Sequence, residues 1–183
     1  MPTVNIPRLG IIEYEKVPLP AGVKGKTLTG LPTAPILITP EKLPQAKLEH
    51  VVAHEVAHRN LLKIFERAAR ENPDILDAPD VESAIVRFLE DEGVDIKTMP
   101  VKSPVIRHMI DTAPRNGYIR DGVTAGEIVA EAYALSMTGE QRMPDSVERV
   151  FQEASNHHAD SASMMPLVIG GGLLAALILI GRR

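Results

Sequence analysis

A long helical pattern between about residues 44 and 70 constrains the fold of this chain more than any other feature. Within it, the segment VVAHEVAHRNLL begins at Val51 and carries His54, Glu55 and His58 in the order H-E-x-x-H. Side chains four positions apart lie on one face of a helix, about one turn from each other. The pattern therefore predicts one long helix that presents two imidazoles side by side.

This spacing lets two imidazoles bind one zinc ion at about 2.0–2.1 Å. Glu55 would lie beside them, where a carboxylate can take a proton from a water molecule that the ion activates. The same helix has an apolar side that includes Leu61 and Phe65, and a charged outer side that includes Arg59. The alternative interpretation is an amphipathic helix whose two histidines lie in the core or at the surface without a metal.

A catalytic zinc site needs a third protein ligand and an open position. The chain has no cysteine, so that ligand has to be a histidine, an aspartate or a glutamate. The segment TAGEIVAEAYAL offers Glu127 and Glu131, four apart on one face of a helix that Thr124 would open. As alternatives, Glu127 could complete a capping box with Thr124, and Glu131 could be an exposed helix residue. His50 continues the row of histidines on the first helix. We expect it to lie at the helix surface, and the alternative is a position next to the metal ligands.

Taken together, HEVAH and EIVAEAY resemble the zinc peptidases of the gluzincin group, most closely the branch typified by anthrax-toxin lethal factor. That branch carries H-E-x-x-H and, further on, a helix that reads E-aromatic-aromatic-A-E-A-aromatic. This chain has Ile128 and Val129 in place of the two aromatic residues. It keeps the other positions of the motif, Glu127, Ala130, Glu131, Ala132 and Tyr133. The resemblance covers roughly residues 35 to 154.

The resemblance implies a zincin-like domain with one catalytic Zn²⁺ ion. It implies that His54, His58 and Glu127 are the metal ligands, and that Glu55 is the base. It also implies that Glu131 orients a ligand histidine, as carboxylates around metal sites do.

Family members also place a tyrosine shortly before the second motif helix, where its hydroxyl can stabilise the oxyanion of the reaction. In this chain the candidate is Tyr118, within RNGYIRDG. The alternative is a loop tyrosine that packs on the surface.

The order of the elements predicts an α+β domain over residues 1–154. The first forty residues contain apolar, β-branched runs between prolines and glycines, which are typical of strands. We expect the edge of one such strand, PILIT, to hold an extended peptide by adding it as a further strand. Helices are predicted from there on, with approximate bounds 44–70, 80–92, 103–111, 124–139 and 146–154.

The C-terminal part is predicted to be a polar linker, residues 155–163, and a transmembrane helix, residues 164–181. The eighteen residues of the second segment carry no charge. As a helix they would rise about 27 Å, close to the thickness of a bilayer core, which favours a single membrane span over a buried core helix. Its glycine and alanine pairs could also let two such tails associate. The N-terminus does not have the pattern of a secretory signal, and the side of the membrane stays open.

The net charge of −4 gives no basic field for nucleic acid. The sequence therefore predicts a membrane-anchored zinc metallopeptidase that acts on a protein or peptide substrate. The alternative is a structural membrane protein, for instance a minor component of a membrane-containing virion, with a degenerate or structural metal site.

Overall fold

Helix α1 (Gln45–Glu71) is the element against which most of the described chain packs. No glycine or proline interrupts these residues, and the helix begins after Pro44 and ends before Asn72 and Pro73. The helix is buried on several sides, because strands and three other helices contact it. In this computed structural model, the described residues are 1–28, 31, 33–78, 81–95, 98–112 and 125–156.

The strands are short and form two small sheets before α1. Strands β1 (Thr3–Ile6) and β2 (Gly10–Glu13) form an antiparallel pair. The second sheet contains β3 (Glu15–Lys16), β4 (Gly25–Lys26) and β5 (Leu37–Ile38) in the order β3-β5-β4. Strand β5 is parallel to β3 and antiparallel to β4.

Strand β5 is the central part of the PILIT segment, and its position corrects one expectation. Both of its sides are paired, so it has no free edge to which a peptide could add. The edge strands of this sheet are β3 and β4, and β4 contacts α1. The apolar composition that identified PILIT as a strand also explains this outcome, because an apolar strand is stabilised by a central, buried position.

Four more α-helices are described after α1, together with a short 3₁₀ helix, Pro73–Asp77. They lie close to the predicted bounds, and with the strands they confirm an α+β domain. Helix α4 is apolar and buried over nearly its whole length, and it packs along α1. The four helices are α2 (Val81–Asp91), α3 (Pro104–Thr112), α4 (Ala125–Met137) and α5 (Asp145–Asn156).

The burial of Arg59 differs from the sequence prediction. This residue was expected on the charged outer side of α1, but only 9% of it is exposed. Its Nε atom has no hydrogen-bond partner among the described residues, and burial lowers the pKa of the guanidinium. The amphipathic pattern failed here because neighbouring elements cover more of α1 than one apolar side.

Several predicted features lie outside the described residues, namely Tyr118, Thr124 and the transmembrane segment 164–181. Helix α5 continues through Asn156, so the first two residues of the predicted linker are helical. In the part of the chain that the structure describes, no helix combines the length and the apolar character needed to cross a bilayer.

Candidate metal centre

Side chains from α1 and α4 meet at one point between the two helices. The Nε2 atoms of His54 and His58 are 3.0 Å apart. Glu127 Oε2 is 3.3 Å from His54 Nε2, and Glu127 Oε1 is 3.2 Å from His58 Nε2. The helical spacing brings the two histidines together, and the packing of α4 on α1 adds the glutamate.

The distances within this group are of the size that a tetrahedral metal ion requires. Ligand bonds of 2.0–2.1 Å at tetrahedral angles place the ligand atoms about 3.3–3.4 Å from each other. The two imidazole nitrogens are 3.0 Å apart, and each of them lies 3.2 or 3.3 Å from a different oxygen of the Glu127 carboxylate. Among the described residues, His54, His58 and Glu127 are the one group of three whose ligand atoms approach closely enough to hold a metal ion. Two imidazoles and a carboxylate also leave a fourth position open, which is typical of catalytic zinc sites.

The charges of these groups also require a cation or a proton between them. Two imidazole nitrogens that face each other with lone pairs repel, so a positive species has to lie between them. Burial lowers the pKa of His54, but hydrogen bonds with Glu127 and Glu131 outweigh this effect and raise it to about 9. Burial in turn raises the pKa of Glu127, but hydrogen bonds with the two histidines hold it well below its usual range. The metal-free site thus retains a proton that a metal ion would replace.

Glu55 is buried beside the two histidines, with 8% of the residue exposed. Burial raises the pKa of its carboxyl group, and the nearby His54 and His58 oppose this shift only in part. The backbone N–H of Thr27, directly after β4, also donates to the carboxylate. A carboxyl group with a raised pKa is suited to take up a proton and give it back.

Glu131 lies one turn after Glu127 on α4 and is also buried, so the alternative of an exposed helix residue is wrong. Its Oε1 atom accepts the backbone N–H groups of Lys102 and Ser103, at 3.1 and 3.2 Å. Its Oε2 atom lies 3.0 Å from His50 Nε2 and 3.4 Å from His54 Nδ1. Burial raises the pKa of this carboxyl group, but hydrogen bonds with the two histidines lower the pKa by more than burial raises it. The pKa is therefore below its usual range, and Glu131 is ionised.

The chain was compared with protein-family models, with curated proteins and with solved structures. None of them matches. The interpretation of the site therefore rests on its own geometry and chemistry.

The position of His50 differs from the sequence prediction. It was expected at the helix surface, but it is partly buried and contacts Glu131. The signal was present in the spacing, since His50, His54 and His58 form one row on α1, and Glu127 and Glu131 form a row on α4. The two rows face each other, so that each carboxylate contacts two successive histidines.

Proposed function

We propose that this chain is a zinc-dependent metallopeptidase whose zincin-like domain, residues 1–154, is anchored in a membrane by residues 164–181. The observation that carries the proposal is the cluster of His54, His58 and Glu127, whose ligand atoms lie within 4.8 Å of one another, with the Glu55 carboxyl group beside it. A cluster of this kind can hold one Zn²⁺ ion, and its three protein ligands leave a position for a water molecule or a substrate.

The zinc ion, when bound, would polarise the scissile carbonyl and lower the pKa of a water molecule to about 7. Glu55 would take the proton of that water and pass it to the leaving amine. Glu131 would accept the Nδ1–H of His54, which leaves the Nε2 lone pair free to bind the metal. Tyr118 would stabilise the negative charge that develops on the carbonyl oxygen.

A protein or peptide substrate would bind in extended form along β4. Two observations support β4 as the place where the substrate binds. The strand lies at an edge of its sheet, and Gly25 packs closely against Glu55. A peptide that pairs with this edge would pass next to the base. The edge of β4 thus takes the role that the sequence had suggested for PILIT.

The membrane anchor is supported by the uncharged sequence of residues 164–181. It makes a lipid bilayer a partner of the protein, and the small residues in this segment would let two tails associate. The net charge of −4 argues against nucleic acid as a partner.

Zinc content and peptide hydrolysis of the purified chain test the proposal together. We expect about one zinc ion per chain by elemental analysis and turnover of a casein-like substrate. Glu55→Gln should keep the zinc and abolish hydrolysis, because the amide is nearly isosteric but cannot take the proton. A wild-type chain that binds zinc without turnover would favour a structural membrane protein, and a chain without a metal would refute the proposed site.

A further inference from the structure

The Oε2 atom of Glu131 is shared by two imidazoles, and His50 makes the shorter of the two contacts. Its distance is 3.0 Å to His50 Nε2, against 3.4 Å to His54 Nδ1. The other oxygen, Oε1, is held by the backbone N–H groups of residues 102 and 103. With Oε1 fixed in this way, the donors to Oε2 determine how the plane of the carboxylate is turned.

His50 contacts Glu131 as a hydrogen-bond donor. An ionised carboxylate only accepts hydrogen bonds, so the proton of this contact is on His50 Nε2. The Nδ1 atom of His50 is buried and has no hydrogen-bond partner among the described residues. The Oε1 atom of Glu140 is 4.0 Å from it, and Glu140 forms an ion pair with Lys102. The hydrogen bond to Glu131 is thus the contact that fixes the imidazole of His50.

We propose that His50 is a positioning residue of the metal centre, which orients Glu131 and, through it, the Nε2 atom of His54. The inference rests on the proposed function, since it concerns the same metal site. An imidazole that donates Nδ1–H to a well-placed carboxylate keeps its Nε2 free of a proton and aimed at the metal. His50 lies one turn from His54, on the side away from His58, so it acts without touching the ion.

Two donors to one oxygen also compete with each other, which taken alone predicts that removal of His50 would strengthen the contact of Glu131 with His54. The burial of Glu131 decides between the two effects. Only 5% of Glu131 is exposed, so an Oε2 atom without His50 would keep one long contact, at 3.4 Å, in a place where solvent hardly reaches. An under-satisfied buried carboxylate tends to turn or to recruit a water molecule, and either change would loosen His54. Removal of His50 should therefore weaken zinc binding.

Two substitutions of His50 in the full-length chain test this inference. His50→Leu removes the donor and keeps most of the volume, whereas the side-chain amide of His50→Gln can still donate to Oε2. We expect the zinc affinity of the leucine variant to fall by up to about tenfold, the lower end of the range for the loss of a group that contacts a metal ligand. In the glutamine variant we expect most of the zinc affinity to return. Competition with a chromophoric chelator measures both affinities, and His108→Leu, on the exposed side of α3, is the matched control.

A role in packing alone would give a different result. It would lower the thermal stability of the metal-free protein in both variants and leave the zinc affinity unchanged. The visible spectrum of bound Co²⁺ gives an independent readout, since a displaced His54 changes the absorption bands in the leucine variant but not in the glutamine variant. A leucine variant with wild-type or tighter zinc affinity overturns the inference, and so does a glutamine variant that is as weak as the leucine variant.

A double-mutant cycle shows whether His50 acts through Glu131. In a Glu131→Gln background, His50→Leu should cause little further loss of zinc affinity. Additive losses would mean that His50 acts by another route. A wild-type chain that binds no zinc would overturn the proposed function and this inference together, whereas normal zinc binding that does not depend on His50 would overturn the inference alone.

Discussion

Glu127 and Glu131 lie one helical turn apart, and each carboxylate contacts two histidines of α1. Their other contacts differ. Glu131 accepts two backbone N–H groups, which occupy its Oε1 atom. Both oxygens of Glu127 face the Nε2 atoms of His54 and His58. This difference supports Glu127 as the metal ligand and Glu131 as the group that orients His54.

Separate alanine substitutions of the two glutamates should have unequal effects on zinc. Glu127→Ala removes a direct bond to the metal, so zinc binding should be almost lost. Glu131→Ala should retain zinc with about 10–100-fold weaker affinity or lower turnover, as expected for a lost outer partner. Competition between the protein and a chelator measures both.

Other outcomes of the same experiment would change the assignment. If Glu127 only capped its helix, Glu127→Ala would cost about 1 kcal/mol of stability and leave zinc affinity unchanged. Metal loss in Glu131→Ala alone would invert the two roles. If neither variant loses zinc, the third ligand is neither of these two glutamates.

Zinc binding should release a proton from His54. In the metal-free protein the pKa of His54 is raised from 6.5 to about 9, so the imidazole is protonated at neutral pH. Its stabilising contribution is complete below pH 6.5 and is lost as the pH rises through 9. Zinc has to displace this proton, so zinc affinity should rise about tenfold per pH unit below pH 9 and level off above it.

Calorimetric titration with zinc in buffers of different ionisation enthalpy counts the released protons. At neutral pH we expect about one proton per zinc ion from this site. The same titration above pH 9, where His54 has already lost this proton, is the control and should release fewer protons. Zinc binding without proton release would show that His54 is already neutral in the metal-free protein.

The approach of β4 to α1 positions Glu55, the proposed base. A Cβ atom at Gly25 would lie 2.7 Å from Val51 Cγ1 and 2.8 Å from Glu55 Oε1. Both distances are shorter than van der Waals contact, so only glycine lets the strand come this close to the helix. The N–H of Thr27 reaches the Glu55 carboxylate because of this close packing.

Gly25→Ala should therefore move Glu55 or push β4 away from α1. We expect a loss of about 1–3 kcal/mol in stability, typical of overpacking, and a larger relative loss of turnover than of zinc content. Thermal unfolding, elemental analysis and peptide hydrolysis measure the three quantities. Lys26→Ala, at an exposed position of the same strand, should change none of them. Normal turnover in Gly25→Ala would show that this packing does not position the base.

At the scale of the whole molecule, the described core and the proposed anchor are separate in sequence. The last described helix ends at Asn156, and the predicted transmembrane segment begins at residue 164. His54, Glu55, His58, Glu127 and Glu131 all come before that point.

Deletion of residues 164–183 should yield a soluble, folded domain that binds zinc. The physical reason is that the removed segment would have stabilised the protein only through contact with lipid. Fractionation, circular dichroism and elemental analysis check the three properties, with the full-length chain as the membrane-bound control. A truncated chain that unfolds or stays with the membrane would show that the tail belongs to the core.

Local sequence patterns were enough to predict the helices and the pairing of His54 with His58. Both depend on local periodicity, because residues four apart meet on a helix whatever surrounds it. It also drew attention to Glu127 and Glu131, through their spacing and through a family resemblance.

Which histidines each glutamate contacts could not be predicted in this way. These contacts depend on the register of α4 against α1, two helices more than fifty residues apart in the chain. The same packing buried Arg59 and brought His50 into contact with Glu131. Strand order placed β4 at an edge and β5 at the centre of their sheet. None of these follows from periodicity, since each depends on which distant surface covers a residue.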